Sequence, residues 1–113
     1  MHAFEIPNLR FSVPASGAVK RYRFVALNAS GAGKLANATD EVVGVSMNET
    51  TANNQVLEVA TGLVMVEANE AIEAGAKAYS NADGKLAKTG TVQVGVVVAG
   101  AGAQGVIATV KVN

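Results

Sequence analysis

The chain contains no cysteine and no tryptophan, one histidine, two prolines and five aromatic residues, three Phe and two Tyr. Each scarcity removes a class of function. Without cysteine there is no disulfide framework, no thiol nucleophile and no Cys-based zinc site. His2, beside the initiator Met, reads as a solvated terminal residue, which leaves a Ser-His-Asp triad or a multi-histidine metal centre without material. The shortage of rings, with Trp missing altogether, removes the usual platform for stacking a sugar and limits the area each core side chain can bury. What remains is apolar but small: half of the 113 residues are hydrophobic, mostly Ala and Val. A single domain of this length with so thin a core gains from burying further surface against copies of itself or a partner.

Formal net charge is zero, and no basic stripe is interleaved with aromatics, so nucleic acid is not expected as a partner. The signs are segregated along the chain. Arg10, Lys20, Arg21, Arg23 and Lys34 dominate the first third, Asp40 to Glu73 is acidic throughout, and Lys77, Lys85, Lys88 and Lys111 return at the end. Solvated strand faces explain such blocks, and so do complementary patches that steer neighbouring subunits together. Thr89 to Val110 carries no charge, but its glycines, Gln93, Gln104 and β-branched residues suit two buried strands and not a membrane-spanning helix. The start, "MHAFEIPNLRF", lacks the basic residues and apolar core of a signal peptide.

"VGVVVAGAGAQG", Val94 to Gly105, places Gly100, Gly102 and Gly105 at the spacing of a dinucleotide-binding fingerprint. That fingerprint requires a following helix and a second strand with an acidic residue. Only "VIATVKVN" follows, a β-branched segment that favours a strand, so the glycines are expected to form the loop of a hairpin and no cofactor is predicted. Glu67, Glu70 and Glu73 are the nearest approach to a carboxylate pair, but nothing around them converges on a substrate. Asn28, Ser30, Asn81 and Asp83 are turn residues without an acidic calcium loop. No catalytic, cofactor-binding or metal-ligating residue is therefore assigned.

A repeat runs through the chain. Displaced by 51 positions, Gly33 to Ala36 ("GKLA") falls on Gly84 to Ala87, and Val43 to Val45 ("VGV") on Val94 to Val96. Each unit reads as a strand ("YRFVAL" or "AKAYS"), a turn ("NASGAGK" or "NADGK"), a "VGV" strand, a loop, and a closing strand ("QVLEVA" or "VIATVKV"). Gly44 and Gly95 mark a bulge or a sharp bend where the sheet curls. Between the units lie another strand, "TGLVMVEA", and "NEAIEAG", a single helical turn or a loop. The expectation is an all-β fold, a compact barrel or sandwich built from two related β-units, about 21–60 and 75–112, within a β domain of residues 18–113. Residues 1–17 lie outside both units and read as an extended N-terminal arm, pairing either with a partner surface or as an edge strand of the protein's own sheet.

The second unit, Ile72 to Val112, resembles the small capsid decoration or cement proteins of tailed bacteriophages. The resemblance rests on Ala74-Gly75, Tyr79, the Asp83-Gly84-Lys85 hairpin, Gly95-Val96, the Gly100 to Gly105 loop and the strand Val106 to Val112. The first unit departs from that pattern with "SGAGK" and "NETTANN". The resemblance implies a non-enzymatic virion protein, made and assembled in the host cytoplasm. It would bind the major capsid protein on the outer capsid surface as a homotrimer and stabilise the head against internal DNA pressure. On that reading the arm touches capsid through Phe4, Ile6, Leu9, Arg10 and Phe11. A tail-tube or head-completion protein and a small-ligand or carbohydrate-binding β-module are the alternatives.

Overall fold

A computed structural model describes residues 3–112; Met1, His2 and Asn113 lie outside the described residues. The chain is all-β. Among the described residues nine strands follow one another: β1 (Ile6–Pro14), β2 (Phe24–Leu27), β3 (Gly33–Leu35), β4 (Gly44–Ser46), β5 (Val56–Glu67), β6 (Lys77–Ser80), β7 (Leu86–Ala87), β8 (Gln93–Ala99) and β9 (Ile107–Val112). Every ladder between them is antiparallel, and the path through the curled sheet is β3-β2-β4-β5-β9-β8-β6-β7, with β1 added along β5.

The path reads as one half followed by its reversal, and the register shows why. Phe24 pairs with Val45, which pairs with Ala60; 53 or 51 positions later, Lys77 pairs with Val96, which pairs with Lys111. The expected "VGV" correspondence therefore holds, with Gly44 opposite Val25 and Gly95 opposite Ala78. Both glycines are required by close approach: a Cβ on Gly44 would stand 2.6 Å from the Ala60 carbonyl oxygen, and one on Gly95 would run into that of Lys111.

The "GKLA" match, by contrast, slips by two residues. The turns that coincide are Asn28–Ala32 and Asn81–Lys85. In each the Asn side-chain oxygen accepts from the backbone two and four residues on, and a left-handed glycine, Gly31 (φ 85°) or Gly84 (φ 74°), closes the turn. Gly33 thus stands where Leu86 stands, each pairing with the last residue of the preceding strand. A slip of two keeps every side chain on its own face, and the two extra residues of the first unit are taken up before Gly44.

The correspondence also reaches further back than the letters that match at 51 positions. The bridges Ala15 to Gly33 and Val19 to Thr50 recur as Ala68 to Leu86 and Ile72 to Ala101. The hydrogen bond from Ala15 N–H to Gln55 O recurs from Ala68 N–H to Val106 O. β1 stands to the first half of β5 as the second half of β5 stands to β9, since Arg10 opposes Ala60 and Leu63 opposes Lys111. "QVLEVA" and "TGLVMVEA", read as two strands, are one strand of 12 residues that closes the first unit and opens the second. "NEAIEAG" forms no helix; Ile72 bridges to Ala101 and Gly75 turns the chain at φ 87°.

Two clusters form the interior. A small one, Ala15, Val19, Val25, Leu57 and Val59 with Phe11, Val13, Leu35 and Val43 against it, lies inside the first unit. The large one joins the inner residues of the second unit, such as Val64, Ala78, Leu86 and Val110, to Phe24, Ala26, Val45 and Ala60 on the back of the first. The second unit is therefore packed onto the outside of the first. Phe24 N–H donates to Gly84 O at 2.7 Å, and Glu67 N–H to Tyr22 O at 2.9 Å.

Candidate capsid-contact surface

β1 is extended for nine residues because Pro7 and Pro14 restrict φ and the intervening side chains alternate apolar with polar. It pairs with β5 from Ile6 opposite Leu63 to Pro14 opposite Val56, with one register shift between Pro7 and Leu9. That shift sits where Gly62, at φ 95°, lets the Asn8 backbone come within 2.6 Å of a would-be Cβ. Before Ile6 the chain crosses the face of the sheet. Phe4 N–H donates to the Thr109 hydroxyl at 2.7 Å, and that hydroxyl donates back to Phe4 O at 2.6 Å.

The five residues expected to meet a partner separate into three environments. Ile6 and Leu9 stand in solvent, 64% and 57% exposed. Arg10 Nη2 meets Glu58 Oε2 at 2.7 Å, with both side chains about half exposed, 53% and 46%. Phe11 is half-buried against the small cluster, and Phe4, also half-buried, is held by its backbone. Ile6 and Leu9 are thus unburied, Arg10 is already partnered, and Phe11 serves the protein's own core.

Cross-strand pairing shows what the arm alone did not. Ile6 opposes Leu63, Leu63 opposes Lys111, Lys111 opposes Val96, and Val96 opposes Lys77. Residues directly opposite share a face, so these five side chains form one row across five strands. The adjacent row, which includes Ala78 and Val112, faces the large cluster, so the row from Ile6 to Lys77 faces outward. Val96 in its middle is 41% exposed. The signal in the sequence was the alternation in "TVKV" and "VGVVV", but nothing there says which strands adjoin.

Several other charged groups have structural work. Arg23, 7% exposed, reaches Glu67 at 3.4 Å and donates to Asp83 O at 3.3 Å, while Lys85 Nζ stands 3.3 Å from the other Glu67 oxygen. Burial raises the Glu67 carboxyl, and Lys85 and Arg23 more than reverse this, so it titrates below its ordinary value. Glu70 accepts from Lys88 N–H at 3.2 Å, and Glu73 lies exposed at a separate cleft of about 460 Å³ walled by Ala71, Ile72, Ala76, Lys88, Ala101 and Gly102. Glu67 is thus taken up by Arg23 and Lys85, and Gly100 to Gly105 links β8 to β9 as a hairpin loop with no helix after it among the described residues. Among the described residues no group of three His, Asp or Glu is placed to hold a metal.

A family model for phage cement proteins matches residues 5–113. The chain belongs to that family. Among solved structures this cement protein resembles the head fiber gp8.5 N base of bacteriophage phi29, with a TM-score of 0.75 and 18% identity over 93% of each chain. At that identity the likeness shows a shared fold. Among curated protein sequences nothing matches. Membership makes this a capsid-associated protein of the virion, in a family whose role is structural.

Proposed function

We propose that this cement protein decorates the outer surface of the assembled phage head as a homotrimer, binding the major capsid protein and holding the shell against the pressure of packaged DNA. The observation that carries the proposal is the family match over nearly the whole chain. The exposed apolar residues of β1 support it: Ile6 and Leu9 are free to be buried against a partner. Two such anchors supply about 1.5–3 kcal/mol each before ordering costs are subtracted. The composition of the core supports self-association: its buried side chains are mostly Ala and Val and bury little area each, so the fold gains from covering further surface between copies.

Light scattering coupled to size exclusion tests the trimer, which would be rejected by a monomer that stays monomeric on heads. Co-sedimentation with purified heads tests the contact. The Ile6→Ser, Leu9→Ser double variant is expected to remain folded, since neither side chain is in the core, and to bind heads far more weakly. Binding equal to that of the unmodified chain would remove β1 from the contact. Internal pressure is tested by comparing the temperature at which decorated and undecorated heads release DNA.

A further inference from the structure

We infer that the outward row on the second unit, Lys77, Val96, Lys111 and Leu63 continuing to Ile6, is a docking face for an acidic protein surface on the capsid, with Val96, Leu63 and Ile6 as its apolar centre and the two lysines as its charged contacts. The inference rests on the capsid-associated reading and adds a second part to the contact, on strands remote in sequence from β1.

The fold contains its own control. The row at the corresponding place in the first unit is Phe24, Val45, Ala60 and Arg10. Its first three members are fully buried, covered by the second unit packed on them. On the second unit the same backbone carries Lys77, Val96 and Lys111. Valine is retained in the middle, while lysine stands at the places of Phe24 and Ala60. A second copy packing here as the second unit packs on the first would drive two ammonium groups into a dry contact, at a desolvation cost of several kcal/mol per ion. The occupant must therefore bring carboxylates.

Among the described residues neither lysine makes an ion pair, although Arg10, Arg23, Lys34 and Lys85 each do. The two stand two strands apart, about 10 Å at the usual strand spacing, with exposed Val96 between them. Long lysine stems extend the apolar area while the ammonium groups reach the rim, where complementary charge sets orientation and rate of encounter.

The test uses the full chain and purified heads that lack it. The Lys77→Glu, Lys111→Glu double variant is expected to stay folded by thermal unfolding, because both side chains are exposed, and to lose about tenfold or more in head affinity. The unmodified chain should bind less tightly as salt rises, and the variant should lose that dependence. A second variant, Lys20→Glu, Lys88→Glu, makes the same change in net charge away from the face and is expected to bind normally. Equal binding by the first variant, or an equal loss in the second, overturns the inference. So does a change of oligomeric mass in the first variant, which would make a second copy the occupant. If the unmodified chain does not bind heads at all, the capsid-contact reading fails first, a result distinct from the other three.

Discussion

The two units share one backbone plan and differ in what covers them. Val25 and Leu57, inside the first, correspond to Ala78 and Ala108 inside the second. The first unit fills its own small interior with larger side chains, whereas the second shares its interior with Phe24, Ala26 and Val45 from the back of its neighbour. On the outer row the contrast is sharper, Phe24 against Lys77 and Ala60 against Lys111. Backbone hydrogen bonding sets where a side chain points, and the neighbour it meets there sets its chemistry. The turns show the same division: Tyr22 (φ 64°) and Asn54 (φ 66°) occupy left-handed positions that the second unit gives to Gly75 and Gly105, both at φ 87°.

The harshest way to break the comparison is to write the second unit's residue into the first. Phe24→Lys buries an ammonium group in the large cluster with no acidic partner and is expected to cost more than about 4 kcal/mol, leaving little folded protein in a denaturant titration. The reciprocal Lys77→Phe should leave the unfolding midpoint nearly unchanged and lower solubility. Next comes Gly95→Ala, where the new methyl collides with the Lys111 carbonyl. The expected loss is about 1–3 kcal/mol in urea unfolding, and Gly44→Ala should behave alike, because both glycines occupy the same place in the plan.

The ion cluster joining the units gives a smaller, pH-dependent effect. Glu67 has its carboxyl lowered on folding, so the stabilisation is fully present above the ordinary value of 4.5 and is lost as pH falls through the lower folded value. Glu67→Gln should cost about 1–2 kcal/mol at pH 7 and flatten the stability curve in that acid window. A variant whose stability still falls as steeply would place the acid sensitivity elsewhere. Smallest is Asn54→Gly, which gives the first unit the residue type of Gly105. Asn already tolerates the left-handed conformation, so the change should stay within about 0.5 kcal/mol, whereas Gly105→Val should destabilise by about 1–2 kcal/mol.

Much of this was legible in the letters. "VGV" repeated at 51 positions located β4 and β8, and "NADGK" located a turn, because Gly and Asn answer to local backbone demands that no distant contact alters. "GKLA" misled by two residues, since an even slip in a strand preserves the inward and outward pattern and only the hydrogen-bonded partner reveals it. The kinship of β1 to the second half of β5 left a single matching letter, Val13 on Val66, because β1 is an exposed edge while β5 is covered along much of its length. Of the proposed contact surface, Ile6 and Leu9 were named in the sequence as apolar residues in an extended arm. Lys77, Val96 and Lys111 were not, for they come from three strands that only the sheet brings side by side.

Sequence alone therefore determined the class and the period: β-branched runs between turn-formers favour strands and hairpins, and "VGV" recurring after 51 positions points to a repeated unit. It also showed that this chain supplies no thiol and no indole, since residues that are absent cannot be assembled by any fold. Tertiary structure decided how the units meet. Packing the second on the back of the first makes one outer row core and leaves its counterpart bare, and that choice depends on contacts between residues 44 to 60 positions apart, which no local pattern encodes.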